Sequence, residues 1–567
     1  MHDLVIRGGT VIDGTGSAPF LADVAVDDGA IVMIGAVVTR GRQEIDAADA
    51  IVTPGFIDVH THYDGQATWT GALDPSSSHG VTTVVTGNCG VGFAPCRPED
   101  REALVALMAG VEDIPEAVMA EGLPWTWQSF SEYLDAVDRL PHDVDIAAMV
   151  PHSALRVFVM GDRAIRREIA TAEDIEEMAS ITRDAMNAGA VGFGTSRALQ
   201  QRSISGEPIP TVRAAEAELL GILSAMTAAD TGVFQLLSDF GEFDDIEGEF
   251  AMLRRLVEAT GRPTSFTVNQ KHSRPDTWRQ LLELTRQAAD DGLPIRAQVL
   301  GRPTGVLLGH ELTATPFDRS PTYAALRTQD FSSLVDCLRD VSVRQKILAE
   351  TSHEAQLWDT LFELTDPPDY EPMPSESIFQ RSRRSGLSPE ELAYDVMLNS
   401  GGRRMLLRTL QNYAAGSLDA CYEMLTDPVS VLGLGDGGAH CGLICDASFP
   451  STMLSLWVRD RVRGPRLDLA TVVRSLTREA ADVVGLGDRG TLAVGLKADI
   501  NVIDPDVIRA RAPRVQHDLP AGGRRLVQDA DGYRATVVTG TVTRRDGHPT
   551  GARPGRVVRG AQRASQG

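Results

Sequence analysis

The hydrophobic pattern divides the chain into three parts. From residue 3 to about residue 53, apolar and polar residues alternate between Gly and Asp turns, as in LVIRGGTVIDG and DVAVDDGAIVMIG. This alternation predicts short antiparallel strands. The same texture returns near the carboxyl end in GTLAVGLKADINVIDPD and YRATVVTGTVTRRDG. Two β segments that bracket a long middle predict one small β-sandwich domain built from both termini, residues 1–53 and 487–567.

Between these ends, residues 54–486 alternate apolar strands with amphipathic helices. The expected strands include TPGFIDVHTH, GVTTVVTGNCG, VDIAAMVPHS, AVGFGTSR, VFQLLSD, PTSFTVNQ and VSVLGLGD. Repeated βα units predict a parallel sheet, and about eight of them predict an α/β fold of the closed (β/α)8 TIM-like barrel type. A last helix, LATVVRSLTREAADVVGL, ends this domain near residue 486.

Two stretches are longer than the connections between strands and helices in a minimal barrel. Residues 105–140 contain two helical patterns and a segment, LPWTWQSF, that looks exposed, while residues 303–430 form a long excursion rich in Pro, Phe and Tyr. Loops of this length are usually either functional or disordered. Their apolar content favours ordered lids over the mouth of an active site.

The strongest chemical signal is an apolar strand that ends in His60-Thr61-His62. Side chains two residues apart on a strand point to the same face, so His60 and His62 are able to bind one metal ion together. The carboxyl end of a barrel strand is where such enzymes build their active sites. The alternative is that two surface histidines occur two residues apart by chance. The preceding Pro-Gly turn and a carboxylate partner argue against it.

That partner is Asp436, which follows the apolar strand SVLGLG some 375 residues later in the chain. A closed barrel brings its last strand beside its first, so we expect Asp436 to bind the metal and to accept a proton from the attacking water as the catalytic residue. The alternative is an Asp that caps a turn. Residues 433–438 also match G-x-G-x-x-G, but no helical pattern follows them, which excludes a dinucleotide site.

Cys89 follows the strand VTTVVT within Gly87-Asn88-Cys89-Gly90. A thiolate is a strong zinc ligand, and its position at a strand end with glycine on both sides favours this role over burial as a small apolar group.

Composition restricts the partners. With 54 basic and 78 acidic residues, the chain has a formal charge of −24, which argues against nucleic acid and anionic membranes because phosphates are repelled. No segment reaches the roughly 20 apolar residues of a membrane helix, and residues 1–9 lack the pattern of a secretion signal. Six scattered cysteines fit a reducing compartment. We therefore expect a cytoplasmic protein that acts on a small molecule.

Several motifs together resemble the amidohydrolase superfamily and, within it, the D-aminoacylases, or N-acyl-D-amino-acid deacylases. They are DLVIRGGTVIDGTG, PGFIDVHTHYD, GVTTVVTGNCG, PHSALR, AGAVGFGTSR, LGDGGAH and DRGTLAVGLKADINVID. The resemblance implies a barrel with a β-sandwich, and zinc held near His60, His62, Cys89 and Asp436, with the thiolate where many relatives use a carboxylated lysine. It further implies that water activated by zinc attacks an N-acyl amino acid and that Asp436 shuttles the proton.

The chain departs from this family at two barrel strands. D-aminoacylases have a histidine ligand on the fifth strand and another on the sixth, whereas the matching segments here read VFQLLSD and FTVNQKH. The fifth has no histidine, and His272 lies past the apparent end of the sixth. One metal ion is therefore favoured over two. It stays open whether Cys89 is a fourth ligand or a bystander, and whether His272 is a ligand or a loop residue that faces the substrate.

Candidates for substrate binding follow from the same strand ends. Arg197, Lys271 and Arg302 are cations that would suit the carboxylate of an amino acid product. His152 and His440 are candidates to orient substrate or relay protons, each against the alternative of a structural role, and His272 is a candidate for contact with the substrate.

Two other functions remain open at this stage. The same scaffold could hydrolyse a cyclic amide, carbamate, lactone or ester, or the chain could be a non-catalytic relative that only binds a ligand. Retention of His60, His62 and Asp436 argues against the second, since binding alone needs no metal and base. Relatives are often oligomeric, so a homo-oligomer is left open, although no interface can be named.

Overall fold

The alternating amino-terminal segment forms five strands in the computed structural model of the chain, which describes residues 1–228, 231–240, 245–351 and 355–562. These strands are β1 (His2–Val11), β2 (Phe20–Asp27), β3 (Ala30–Gly35), β4 (Gly41–Asp46) and β5 (Ile51–Pro54). β1 pairs antiparallel with β2 and parallel with both β4 and β5. β1 therefore pairs with three of the other four strands in this part of the sheet.

The middle of the chain alternates strands with helices as the pattern predicts. In chain order its first elements are β6 (Phe56–Asp58), β7 (Val81–Thr86), α1 (Arg101–Val111), α2 (Glu116–Gly122), α3 (Phe130–Asp138), β8 (Asp145–Pro151), α4 (His152–Met160), α5 (Asp162–Ile165), α6 (Ala172–Ala188), β9 (Gly192–Ser196), α7 (Glu216–Ala228), β10 (Val233–Leu237), α8 (Ile246–Thr260), β11 (Thr264–Thr267), α9 (Thr277–Asp290) and β12 (Ile295–Val299). Local signals set the ends of these helices. For example, Thr171 and Asp174 form a capping box at the start of α6, and Gly189 ends it with a φ of 115°.

The long excursion after β12 is an ordered unit with its own small sheet and apolar core. Its elements are β13 (Thr304–Leu308), α10 (Pro321–Leu326), α11 (Phe331–Leu338), α12 (Val341–Glu350), α13 (Ala355–Asp359), β14 (Leu361–Glu363), α14 (Ile378–Ser385), α15 (Pro389–Met397), α16 (Asn399–Gly402) and β15 (Leu406–Gln411). The strands pair antiparallel in the order β13-β15-β14. The core beside them includes Phe317, Leu338, Ile347 and Tyr394.

The chain then returns to the parallel sheet. The next elements are α17 (Asp419–Thr426), β16 (Ser430–Leu432), α18 (Phe449–Thr452), α19 (Leu469–Leu476) and α20 (Arg478–Val483). The eight strands β6 to β12 and β16 pair in chain order, each parallel to the next. Their carboxyl ends therefore meet at one edge of the sheet, where loops place the candidate site residues.

The carboxyl-terminal part completes the sheet that the amino terminus began. Its strands are β17 (Ile500–Ile503), β18 (Arg509–Ala510), β19 (Arg514–Leu519), β20 (Gly523–Val527), β21 (Ala530–Asp531), β22 (Tyr533–Val538), β23 (Thr541–Arg545), β24 (His548–Pro549) and β25 (Val557–Val558). β17 pairs antiparallel with β5, with Val502 opposite Val52, so both ends of the chain share a nine-stranded sheet. Whether this sheet belongs to a sandwich, and where the domains divide, stay predictions.

Three expectations about elements need correction. The single helix expected to end near residue 486 is broken at Thr477, whose φ of −130° and ψ of −84° are not helical, so α19 and α20 are separate. Residues 101–138 form three helices rather than two. Within the segment that looks exposed, Trp127 is only 2% exposed, and its Nε1 donates to the carbonyl of Phe93 at 2.8 Å.

The pattern also does not single out β12, the seventh parallel strand. Arg296 and Gln298 interrupt its apolar residues, so the segment looks less like a buried strand than its neighbours. Across the part of the chain that the structure describes, no helix has the length and apolar character needed to cross a bilayer.

Candidate metal centre

His60 and His62 lie in the loop directly after β6, with both rings buried. The backbone N–H of His60 donates to Asp58 Oδ1 at 3.1 Å, which fixes the start of this loop. The Nδ1 of His60 donates to Gln298 Oε1 at 2.9 Å. Because Nδ1 holds the proton, the Nε2 of His60 keeps its lone pair for a metal ion.

Cys89 reaches the same point from the loop after β7. Its backbone is left-handed, with a φ of 53°, and its N–H donates to Gln235 Oε1 at 2.9 Å. Its Sγ lies 3.2 Å from His60 Nε2. The donor atoms of His60, His62 and Cys89 all lie within 4.8 Å of one another, so the structure brings together three of the four residues that the motifs select.

Asp436 lies in the loop after β16, the last parallel strand. Its Oδ1 lies 3.5 Å from Nε2 of both His60 and His62. Two backbone hydrogen bonds join the loops, since Asp436 N–H donates to the carbonyl of His60 at 3.0 Å and His62 N–H donates to that of Gly437 at 2.7 Å. A Cβ at Gly435 would lie 1.9 Å from Asp58 Oδ2, so only glycine allows this approach.

The charges in this cluster depend on one another. Burial alone would lower the pKa of His60, but the Cys89 thiolate and Asp436 outweigh it and raise that pKa to about 9. Burial would raise the pKa of Asp436, yet hydrogen bonding to His62 and the charge of His60 hold it well below its usual value. The pKa of Cys89 is likewise lowered, because His60 and His62 outweigh the burial of the thiol. Without a metal, protonated imidazoles thus stabilise the Asp436 carboxylate and the Cys89 thiolate, and a metal ion that binds here displaces the imidazole protons.

Several separations between these donors fit a zinc ion, although Asp436 is outside the group of three donors that lie within 4.8 Å of one another. Bonds of about 2.0–2.3 Å from zinc to N, O and S ligands place tetrahedral donors about 3.3–3.8 Å apart. The separations of 3.2 Å between His60 Nε2 and Cys89 Sγ and of 3.5 Å from Asp436 Oδ1 to each imidazole are close to this range. The set of two imidazoles, one thiolate and one carboxylate is also of the kind that zinc prefers.

Three further residues at this centre are absent from the sequence prediction. Glu112, at the end of α1, is 1% exposed, and its Oε2 lies 3.7 Å from His62 Nε2. Gln235 and Gln298 hold the backbone of Cys89 and the ring of His60. Gln235 is a polar residue in the middle of the apolar strand β10, which is a usable signal, whereas Gln298 lies on β12, a strand that the sequence does not single out. Nothing in the local sequence marks a glutamate in the 105–140 insertion.

The cluster opens into a cavity of about 640 Å³. Of the substrate-binding candidates, Lys271, His272 and His440 line it. The Nε2 of His440 lies 3.4 Å from Glu112 Oε2. His272 contributes to the wall but is not part of the cluster of donor atoms within 4.8 Å.

The other three candidates lie away from this cavity. His152 is fully buried, with Nδ1 2.7 Å from Thr195 Oγ1 and Nε2 3.0 Å from Glu218 Oε1, so both ring nitrogens are engaged. Arg197 pairs with Glu249 at 2.8 Å. Arg302 is buried against Asp446 and Ser448 and stacks on Tyr370 at 3.9 Å. These contacts favour the structural alternative for all three residues.

A sequence model of the amidohydrolase family matches residues 43–544. The chain belongs to the amidohydrolase family. The resemblance inferred from the motifs is therefore confirmed. An N-acyl-D-glutamate deacylase of Alcaligenes xylosoxydans xylosoxydans is 28% identical to this amidohydrolase over 559 residues, which cover 98% of this chain and 96% of the relative.

Solved structures show the same fold. A D-aminoacylase aligns with this amidohydrolase at a TM-score of 0.65 and 23% identity, over 99% of this chain and 100% of the other. An N-acyl-D-glutamate deacylase from Bordetella bronchiseptica, solved with zinc and a phosphonate inhibitor, aligns at a TM-score of 0.64 and 23% identity, over 98% and 99% of the two chains.

Proposed function

We propose that this amidohydrolase removes the acyl group from N-acyl-D-amino acids and that one zinc ion, held by His60, His62, Cys89 and Asp436, activates the attacking water. The observation that supports it most is the approach of Asp436 Oδ1 to within 3.5 Å of both imidazoles. The length over which the chain matches an N-acyl-D-glutamate deacylase supports the choice of bond.

One zinc is favoured over two because the fifth and sixth parallel strands offer no histidine. β10 and β11 read VFQLL and TSFT. The polar side chain of β10, Gln235, already accepts a hydrogen bond from the backbone of Cys89. Carboxamides are poor substitutes for the imidazole, thiolate and carboxylate ligands of zinc.

The chain's own residues supply positioning and proton transfer. A bound divalent metal would act as a Lewis acid on the substrate carbonyl and make water a better nucleophile. Asp436, whose Oδ1 lies 3.5 Å from both imidazoles and which also lines the cavity, accepts the proton of the attacking water and returns it to the leaving nitrogen. Gln298 holds the ring of His60 so that its Nε2 faces the metal position.

The cavity suits a small N-acyl amino acid. Its volume of about 640 Å³ lies within the range of small-molecule sites. Apolar residues, among them Leu237, Leu300 and Leu410, offer a surface for the acyl chain. Lys271 on the same wall is the cation that we assign to the substrate carboxylate.

The proposed mechanism also assumes that the parallel strands close into a barrel. The hydrogen bonds between the loops after β6 and β16, from Asp436 N to His60 O and from His62 N to Gly437 O, support closure. A closed barrel explains how donors from the first and last strands share one ion.

The test is a hydrolysis screen on purified protein that has been stripped of metal and reconstituted with zinc. The substrates are matched N-acyl-D- and N-acyl-L-amino acids, cyclic imides and lactones. We expect turnover of the D series, and its loss on chelation. Preference for a cyclic imide or lactone would replace the proposed substrate class, while a protein that binds no zinc would remove the mechanism.

The Asp436→Asn variant separates metal binding from proton transfer. The amide keeps an oxygen toward the metal but no longer accepts a proton, so we expect kcat to fall by about 10²–10⁴-fold while much of the zinc is retained. The matched variant His60→Ala should lose both zinc and turnover. Zinc content and kcat, measured on the same samples, check this, and loss of zinc by Asp436→Asn as complete as that of His60→Ala would contradict the assigned proton transfer.

A further inference from the structure

Glu112 combines three features that are unfavourable for an isolated carboxylate. It is 1% exposed, it follows the last residue of α1, and no hydrogen bond reaches its Oε2 among the described residues. The carboxyl end of a helix is the negative end of its dipole, so a second negative charge there is repelled. A buried carboxylate oxygen without a donor costs free energy unless a cation compensates it.

The carboxylate of Glu112 lies close to two imidazoles, those of the proposed ligand His62 and of His440. Its Oε2 lies 3.7 Å from Nε2 of His62 and 3.4 Å from Nε2 of His440. An imidazole that binds a metal does so in its neutral form through a lone pair. Once His62 binds the ion through Nε2, that atom cannot also donate a proton to Glu112.

Glu112 Oε2 lies 3.7 Å from His62 Nε2, a separation that two ligands of one zinc ion can have, although Glu112 is not among the donors His60, His62 and Cys89 that all lie within 4.8 Å of one another. Glu112 is also held in place by the loop that contains Asp436, because its carbonyl accepts a hydrogen bond from the backbone N–H of His440. The backbone of Glu112 is thus fixed beside the site.

We propose that Glu112 is an additional ligand of the metal ion, supplied by the insertion between β7 and β8. It provides an anionic donor at a centre whose fifth and sixth strands contribute no histidine. The insertion is then part of the metal centre itself. This inference depends on the metal site of the proposed function.

The first test measures zinc affinity on the full-length, metal-stripped protein by competition with a chelator. Glu112→Gln removes the charge with little change of shape, and Glu116→Gln makes the same change at an exposed position four residues later in the same insertion. We expect Glu112→Gln to weaken zinc binding by about 10-fold or more, since loss of even an indirect contact to a metal ligand costs about 10–100-fold. Glu116→Gln should match wild type.

The outcomes separate this inference from the proposed function. If wild type binds no zinc, both fail. If wild type binds zinc and Glu112→Gln binds it equally well, Glu112 is not a ligand and the proposed function stands.

A second measurement needs no variant. In a crystal structure of the zinc-loaded wild-type protein, we expect a carboxylate oxygen of Glu112 about 2.0–2.2 Å from the ion. A zinc bound by His60, His62, Cys89 and Asp436, with Glu112 bonded only to His440, would overturn the inference even if Glu112→Gln failed to fold.

Discussion

At the scale of single residues, the candidate metal centre is built on unusual backbone conformations. Cys89, Leu434, Asp436 and His440 all have a positive φ, between 48° and 68°, although none of them is glycine. Side chains disfavour this left-handed region, and residues held there cluster at functional sites. The hydrogen bonds that tie the loops after β6, β7 and β16 together hold these conformations.

The Cys89 thiol should differ chemically from the other buried cysteines. The imidazoles of His60 and His62 lower the pKa of Cys89 despite its burial, whereas burial raises the pKa of Cys96, Cys441 and Cys445 to about 12. The thiolate is the nucleophile in alkylation. We therefore expect iodoacetamide to modify Cys89 before these three in metal-stripped protein at pH 7.5, as measured by peptide mass spectrometry.

Zinc provides the control for this prediction. If Cys89 is a ligand, saturating zinc should slow its alkylation and leave the slow reaction of Cys96 unchanged. Equal rates at Cys89 with and without zinc would show that the thiol packs beside the ion without binding it.

At the scale of elements, most parallel strands were predictable because each is a short apolar run between turn residues. The seventh, β12, was not singled out, because its side chains include the exposed Arg296 and the site residue Gln298. The break at Thr477 was hidden as well, since the apolar period continues through it. Function and tertiary packing override local pattern at these positions.

The excursion after β12 should behave as a separate unit because it has its own apolar core. Leu338 is fully buried in that core, and Leu387 is 39% exposed in the same excursion. Leu338→Ala should cost about 2–5 kcal/mol of local stability, whereas Leu387→Ala should change stability by no more than about 0.5 kcal/mol. Hydrogen exchange measured by mass spectrometry should show faster exchange in α11, α12 and α15.

Zinc content gives the contrasting measurement for this prediction. The donors His60, His62, Cys89 and Asp436 all lie outside the excursion, so Leu338→Ala should retain its zinc. Parallel loss of zinc and of protection across β6 to β9 would show that the excursion and the parallel sheet unfold together.

At the scale of the whole molecule, His79 connects distant parts of the chain. Its Nδ1 accepts a hydrogen bond from Ser451 Oγ at 2.7 Å, and its Nε2 donates to the carbonyl of Gln528 at 2.9 Å. Tyr533 donates to the carbonyl of His79 at 2.7 Å. The loop before β7 is thus bound both to α18 and to the carboxyl-terminal strands.

This contact should make stability depend on pH. Burial lowers the pKa of His79 to about 4, whereas an unfolded histidine titrates near about 6.5. Between these values the unfolded state binds more protons, so stability should fall as the pH drops from about 6.5 to about 4, by about 3 kcal/mol in total from this group. Urea unfolding of wild type and His79→Gln at several pH values measures it.

The variant should lose this part of the pH dependence, while His548→Gln, at an exposed position, should retain it. An identical slope in wild type and His79→Gln would assign the acid sensitivity to other groups.

The sequence alone determined the family and most of the parallel strands, and it selected His60, His62, Cys89 and Asp436 as the candidate ligands, because each of these is written in a contiguous motif. It could not determine the partners of those residues. Glu112, Gln235 and Gln298 come from three separate segments, and their proximity to the site depends on the path of an insertion and on strand pairing. The sequence also could not tell which candidate cation reaches the cavity. Lys271 lines it, whereas Arg197 and Arg302 do not. A motif specifies the type of donor, whereas only the tertiary structure decides which side chains surround it.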